Sequence, residues 1–156
     1  MNLSEALTRE HEEIDAGIET FVAGIEGGAV DPEPVRRTID ALRRHIYLEE
    51  QFVFPPIRQA GVLMPVLVML REHGTLWKLM DDLIELLNDD NRPDVVDALA
   101  TTCRELLTQL DQHNSKEEPL IYPHADSDLT EEATAALNEF LANGATPDGW
   151  VCEAAR

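Results

Sequence analysis

Apolar side chains recur along this chain at steps of three and four, the spacing of one helix face, with no two-residue strand rhythm. Leu3, Leu7, Ile14, Ile18, Phe21 and Ile25 mark a first helix that ends at Gly27-Gly28. Asp31-Pro32 supplies a cap and a first-turn proline for a second, carried by Val35, Ile39, Leu42, Phe52 and Val53 and stopped by Pro55-Pro56. A third runs from about Pro65 to Leu87, with Leu70, Leu76, Met80, Leu83 and Leu87 on one side. Asn91 and Pro93 open a fourth, carried by Val96, Leu99, Leu106, Leu110 and Leu120. A shorter segment, about Glu131 to Ala142, precedes Gly144 and a tail. The pattern predicts an all-α protein, an up-down-up-down four-helix bundle with a short fifth C-terminal helix. The bundle is expected over residues 1–126, with 127–156 as a short helix and tail packed on it or trailing from it.

Each long stripe is interrupted by a histidine, and two are interrupted by a glutamate as well. The inward series step Leu7, His11, Ile14; then Leu42, His45, Glu49; then Leu70, His73, Leu76; then Leu110, His113, Glu117. Steps of three and four keep these polar residues on the face that points into the bundle. An ionised glutamate facing a core is costly unless it is paired or binds a metal. At about 100° and about 1.5 Å per residue, positions four apart lie close together, so His45 with Glu49 and His113 with Glu117 reach one point in the core.

The interruptions are duplicated. HIYLEEQFVFP (His45 to Pro55) and HNSKEEPLIYP (His113 to Pro123) share one template: His, three residues, Glu-Glu, three residues, aromatic, Pro. The first and third helices share Arg-Glu-His, as Arg9-Glu10-His11 and Arg71-Glu72-His73. Two helical hairpins in tandem therefore bring two histidines and one glutamate each to a pseudo-two-fold axis. Two metal ions, each taking two imidazoles and sharing both carboxylates, use every ligand symmetrically. Glu50 and Glu118 sit about 100° further round their helices and are expected to be solvated or supporting partners.

Imidazole and carboxylate without thiolate suit iron, manganese or zinc. Bridging carboxylates in a bundle favour di-iron or di-manganese over structural zinc. The ordered set His11, His45-x-x-x-Glu49, His73, His113-x-x-x-Glu117 resembles the hemerythrin-like, or HHE cation-binding, family over about residues 3 to 125. That resemblance implies two iron ions joined by an oxo or hydroxo bridge. It assigns His11 and His45 to one iron and His73 and His113 to the other, with Glu49 and Glu117 bridging. The chain departs from the oxygen-carrying members at two places. Trp77 stands where they have a second histidine on the third helix, and Glu117 follows His113 by four where they have an aspartate at five. Reversible oxygen carriage is put in doubt, whereas reactivity toward oxygen, nitric oxide or peroxide is not.

Among further candidates, Tyr47 and Tyr122 lie about 200° and about 180° from their nearest histidine on a regular helix and are expected to pack or anchor helix ends. Tyr122, beside the helix-ending Pro123, could also swing inward. Asp15, four residues after His11, could support the site but is expected to be solvated; Trp77 is expected to wall the core, and His124, past Pro123, to stand outside the ligand set. Cys103 reads as a small core residue and Cys152 as an incidental tail thiol.

The charge balance narrows the partners. A net charge of −19 and a pI near 4.4 argue against nucleic acid and anionic membrane surfaces. With no signal peptide visible, no apolar run of membrane-spanning length and no disulfide framework, the expected location is a reducing cytoplasm. The first functional expectation is a non-haem di-iron protein that binds or reacts with oxygen, nitric oxide or peroxide. The alternatives are an iron- or oxygen-responsive sensing module and an iron-sulfur cluster repair or iron-delivery protein; no protein partner is indicated.

Overall fold

The computed structural model describes residues 1–89 and 93–156, and the expected opening of the fourth helix at Asn91 lies outside them. Helix α1 spans Leu3–Glu26 and α2 spans Pro32–Leu48; a π-helical turn, Glu49–Val53, joins α2 to α3, Phe54–Gln59. Helix α4 spans Met64–Asn88, α5 Val95–Leu120, α6 Tyr122–Ser127 and α7 Glu131–Asn143; the tail ends in a 3-10 turn, Glu153–Ala155. No strand occurs among the described residues. Local chemistry sets several boundaries. The Asn2 side chain accepts from the Glu5 amide at 2.8 Å while the Glu5 carboxylate accepts from the Asn2 amide at 3.0 Å, a capping box that starts α1. Asp31 and Thr130 cap α2 and α7 in the same sense.

The four long helices pack as a ring in which α1 touches α2 and α5, and α4 touches α5 and α2. Two apolar clusters fill its interior. One holds Ile14, Ile18, Leu42, Ile46, Leu76, Met80, Leu106 and Leu110. The other holds Leu3, Leu7, Leu48, Val53, Phe54, Met69, Leu70, Ile121 and Tyr122. Between them on all four helices lie His11, His45, His73 and His113, all buried. This layering requires α1 and α4 to run one way and α2 and α5 the other, the up-down-up-down arrangement expected of the stripes.

The stripes fail at the ends of the second and fourth helices. Pro55-Pro56 does not stop the chain: the backbone passes through the π turn and continues helically to Gln59, with Pro55 in the first turn of α3. Pro123 likewise sits in the first turn of α6. Proline has the helical φ and lacks only an amide that a first turn leaves unpaired, so aromatic-Pro restarts a helix here. The π turn inserts part of a residue into the period, and the inward phase moves with it. Phe52, expected inside, is half-buried, whereas Val53, Phe54 and Ile57 are buried. In the second copy Leu120 is 53% exposed while Ile121, Tyr122 and Ala125 are buried. Val96, also read as core, is 40% exposed.

Helix α7 packs on the bundle. Arg44 donates to the carbonyls of Phe140 and Gly144 and lies 4.7 Å above the Phe140 ring. The tail follows it down: Trp150 meets Trp77 and Tyr47 edge-on, and Ala154 lies against Gly74, where an added Cβ would come within 2.9 Å of the alanine's own. Cys152 is fully buried rather than incidental, because this docked tail carries it beneath the surface.

Candidate metal centre

Six side chains that interrupt the stripes converge between the two apolar clusters. His11, His45, Glu49 and Glu117 form one group, and Glu49, His73, His113 and Glu117 a second; within each, one ligand atom per residue lies within 4.8 Å of all the others. Both carboxylates belong to both groups, and each sends one oxygen each way. Glu49 Oε2 lies 3.4 Å from His45 Nε2 and Glu49 Oε1 3.2 Å from His73 Nε2. Glu117 Oε1 lies 3.2 Å from His11 Nε2 and Glu117 Oε2 3.2 Å from His113 Nε2. Every ring thus turns its Nε2 into the centre.

Each Nδ1 faces outward onto a carboxylate. Glu10 Oε1 lies 2.9 Å from His45 Nδ1, and its repeat equivalent Glu72 lies 3.0 Å from His113 Nδ1. Glu118 lies 2.9 Å from His11 Nδ1, and its equivalent Glu50 lies 2.7 Å from His73 Nδ1. Such contacts fix ring orientation and the tautomer that leaves Nε2 free to ligate. Sequence reading took Glu50 and Glu118 as solvated or supporting partners, and here they support the rings; it gave Glu10 and Glu72 no role. A signal was present: in both repeats one glutamate directly precedes the first histidine and another directly follows the inward glutamate.

The electrostatics describe a centre assembled for positive charge. Burial pushes the His113 imidazole down, but the Glu117 carboxylate and contacts with Glu117 and Glu72 outweigh it and push the ring up to about 10. Burial also opposes charge on His45 and His73, yet Glu49, with Glu10 at one ring and Glu50 at the other, leaves both above the ordinary imidazole range. Burial raises both inward carboxylates and Glu117 raises Glu49 further, but the histidines reverse this: Glu49 ends below its ordinary value and Glu117 well below it, with His113 the largest lowering influence on Glu117. Three buried atoms of the centre, Glu49 Oε1, His73 Nε2 and Glu117 Oε2, form no hydrogen bond and have only ionic contacts at 3.2 Å. A buried polar atom without a partner is costly, and all three belong to the second group, where a cation would satisfy them together. The donor set therefore fits a metal.

Tyr122 enters the first group instead of anchoring a helix end. Its hydroxyl lies 2.8 Å from His11 Nε2 and from Glu49 Oε2, and 3.0 Å from His45 Nε2 and from Glu117 Oε1. Burial, with Glu117 and Glu49 beside it, pushes this phenol well above its ordinary range when no cation offsets them. Tyr47 stays outside among Phe52, Phe140 and Trp150. His124 pairs with Asp128 at the surface end of α6, and Trp77 is a buried wall with the Arg43 guanidinium 4.7 Å above it. Asp15 is half-buried, contrary to expectation; burial raises its carboxyl to about 6 and leaves Oδ1 without a partner. It lines a cavity of about 10 Å³ with Asn114, His11, His45, His73 and His113, on the side of the polar layer away from Tyr122.

Proteins named iron-sulfur cluster repair protein YtfE, from Yersinia pestis strain Pestoides F and Yersinia pseudotuberculosis strain YPIII, are 30% identical to this chain over 94 residues. The match covers 56% of this chain and 42% of each relative, so the chain spans less than half the length of the curated relatives it matches. No solved structure gives a significant match. The family model described as Hemerythrin HHE cation binding domain matches residues 2–125, and the chain belongs to that family.

Proposed function

We propose that this chain holds a carboxylate-bridged pair of iron ions and that the pair binds or reacts with oxygen, nitric oxide or peroxide. The observation that carries the reading is the pair of buried four-ligand groups sharing both glutamates. His11 and His45 would hold one ion and His73 and His113 the other, with Glu49 and Glu117 shared between the two. Iron held there would supply redox and Lewis-acid chemistry. The chain supplies the rest. Glu10, Glu50, Glu72 and Glu118 hold the rings in ligating orientation, the two apolar clusters exclude bulk water, and the cavity beside Asp15 restricts what enters. At about 10 Å³ it has room for roughly one water molecule. Among the described residues no helix is long and apolar enough to cross a membrane; a net charge of −19 disfavours nucleic acid and anionic membrane surfaces, and a reducing cytoplasm suits two unpaired cysteines.

The test is to load the protein with ferrous ion under inert gas, count metal per chain by elemental analysis, and add oxygen, nitric oxide and peroxide separately. Two irons per chain and an optical response to at least one of the three support the reading. One zinc per chain, or two irons that respond to none, overturns it. A second reading, cluster repair, draws on the similarity to proteins named for that role. It predicts transfer of iron from the loaded chain to an apo iron-sulfur protein, and failure of transfer removes it.

A further inference from the structure

The two halves of the ligand set match residue for residue except at one position. Tyr122 and Phe54 are repeat equivalents, each five residues after its inward glutamate and each fully buried. Each stacks on the first histidine of its group: Tyr122 on His11 with ring centroids 5.3 Å apart, Phe54 on His73 at 5.5 Å. The halves differ by one oxygen. That oxygen lies 2.8 to 3.0 Å from ligand atoms of all four residues of the first group, His11, His45, Glu49 and Glu117. A phenol has one proton to donate and can satisfy only one of the two carboxylates it meets. As the anchor of a helix end, Tyr122 would need a single partner near the surface. Its oxygen instead lies against all four donor atoms of the group, where it would be a fifth donor to an ion they hold.

We propose that Tyr122 is a protein ligand, through its phenolic oxygen, of the metal held by His11 and His45, and that the metal held by His73 and His113 has no counterpart because Phe54 occupies the equivalent place. The inference rests on the paired-iron reading above. On binding, the phenolic O–H bond is replaced by an oxygen–metal bond and the proton leaves to solvent; no electron is transferred. The pair is then unequal. An anionic oxygen donor favours the ferric state of the first ion and fills a coordination position there. A small molecule entering from the cavity is left with the second ion, between His73 and His113, as its open partner. The orphaned atoms lie on that same side: Glu49 Oε1, His73 Nε2 and Glu117 Oε2.

A phenolate bound to ferric iron absorbs in the visible and enhances tyrosine ring vibrations in resonance Raman, which a tyrosine that only hydrogen-bonds near iron does not do. The full chain is loaded with iron, oxidised to the ferric state, and compared with Tyr122→Phe and Phe54→Tyr, with iron counted in every sample. The wild-type protein should show the phenolate band, Tyr122→Phe should lose it while keeping at least half of the iron, and Phe54→Tyr should increase its intensity up to about twofold. Iron bound without the band in wild type, or a band that survives Tyr122→Phe, overturns the proposal and leaves the paired-iron reading standing. A wild-type chain that binds no iron overturns both.

Discussion

The hairpin of α1 and α2 and the hairpin of α4 and α5 bring the same ligands to the centre but hold them differently. In each, the second histidine is braced by its own hairpin, His45 by Glu10 and His113 by Glu72. The first histidine is braced from the opposite hairpin, His11 by Glu118 and His73 by Glu50. Neither half is a complete metal site. The braces also differ in setting. The Glu118 side chain is 36% exposed, whereas the Glu50 side chain is 4% exposed and accepts the Glu153 amide of the tail at 3.0 Å through its other oxygen. The repeated pattern thus gives a symmetric set of histidines and glutamates, and the asymmetry lies in Tyr122 against Phe54 beside that set and, one layer out, in a tail that touches only one brace.

The strongest way to break the comparison is to remove what the halves share. Glu49→Ala or Glu117→Ala takes a ligand from both groups at once and is expected to abolish metal binding in both, by elemental analysis after gel filtration. His11→Ala and His73→Ala each take a ligand from one group, and each should leave about one metal per chain. Equal retention by all four variants would mean that the carboxylates do not bridge.

A finer test weighs the braces. Removing a carboxylate that orients a ligating histidine costs about 10- to 100-fold in metal affinity. Glu50→Ala should fall near the upper end and Glu118→Ala near the lower, because the exposed Glu118 is screened and can be replaced by water. Competition against a chelator of known affinity measures both. A larger loss at Glu118 would reverse the ranking of the halves.

How much of this was readable in advance follows from where the physics is local. The six residues of the candidate centre were legible because a charge on an apolar helix face is costly, and four helices carried such gaps at matched spacing. The braces were visible only as neighbours of those gaps. A glutamate about 100° from the inward direction points equally well to solvent or to the adjacent helix, and only the packing of the adjacent helix decides. Tyr122 was expected on the far face because a constant period was carried from His113 through Pro119, although its place beside Pro123 left an inward swing open. The chain restarts its helix at Tyr122 and turns that ring inward. Cys152 was misplaced for a different reason: a tail without periodicity carries no mark of the surface it docks on.

Titration of the metal-stripped protein sharpens the same contrast with a smaller effect. His113 is held at about 10 in the fold against about 6.5 in the unfolded chain. A raised folded pKa gives stability that is fully present below about 6.5 and is lost as pH climbs toward 10. Glu117 works in the opposite sense: its lowered pKa gives stability present above the ordinary carboxylate value of about 4.5 and lost as pH falls through its lower folded value. The metal-free melting temperature is therefore expected to peak between about 4.5 and 6.5 and to fall by several degrees by pH 9. His113→Gln should flatten the alkaline fall. A melting temperature still rising from pH 6.5 to 9 would remove the ion-pair account of the metal-free centre.

The smallest expected effect tests whether the tail favours one half. Burial pushes the Cys103 thiol up to about 12 and the Cys152 thiol up to about 11, so neither is a nucleophile at neutral pH. Reaction with an alkylating reagent must then wait for the structure to open. Cys103 sits in the bundle core on α5, and exposing it means parting the long helices. Cys152 is covered by a short tail segment held through Trp150, Ala154 and the Glu153 amide, and local release of that segment costs less than opening the bundle. Mass spectrometry of the native protein should show Cys152 labelled slowly and Cys103 more slowly still. Glu50→Ala should speed labelling at Cys152 alone, since it deletes the acceptor of the Glu153 amide, whereas Glu118→Ala should leave both rates unchanged. Were the two substitutions to act alike on Cys152, the tail would not be fastened through the brace of His73, and the outer asymmetry of the two halves would reduce to Tyr122 against Phe54.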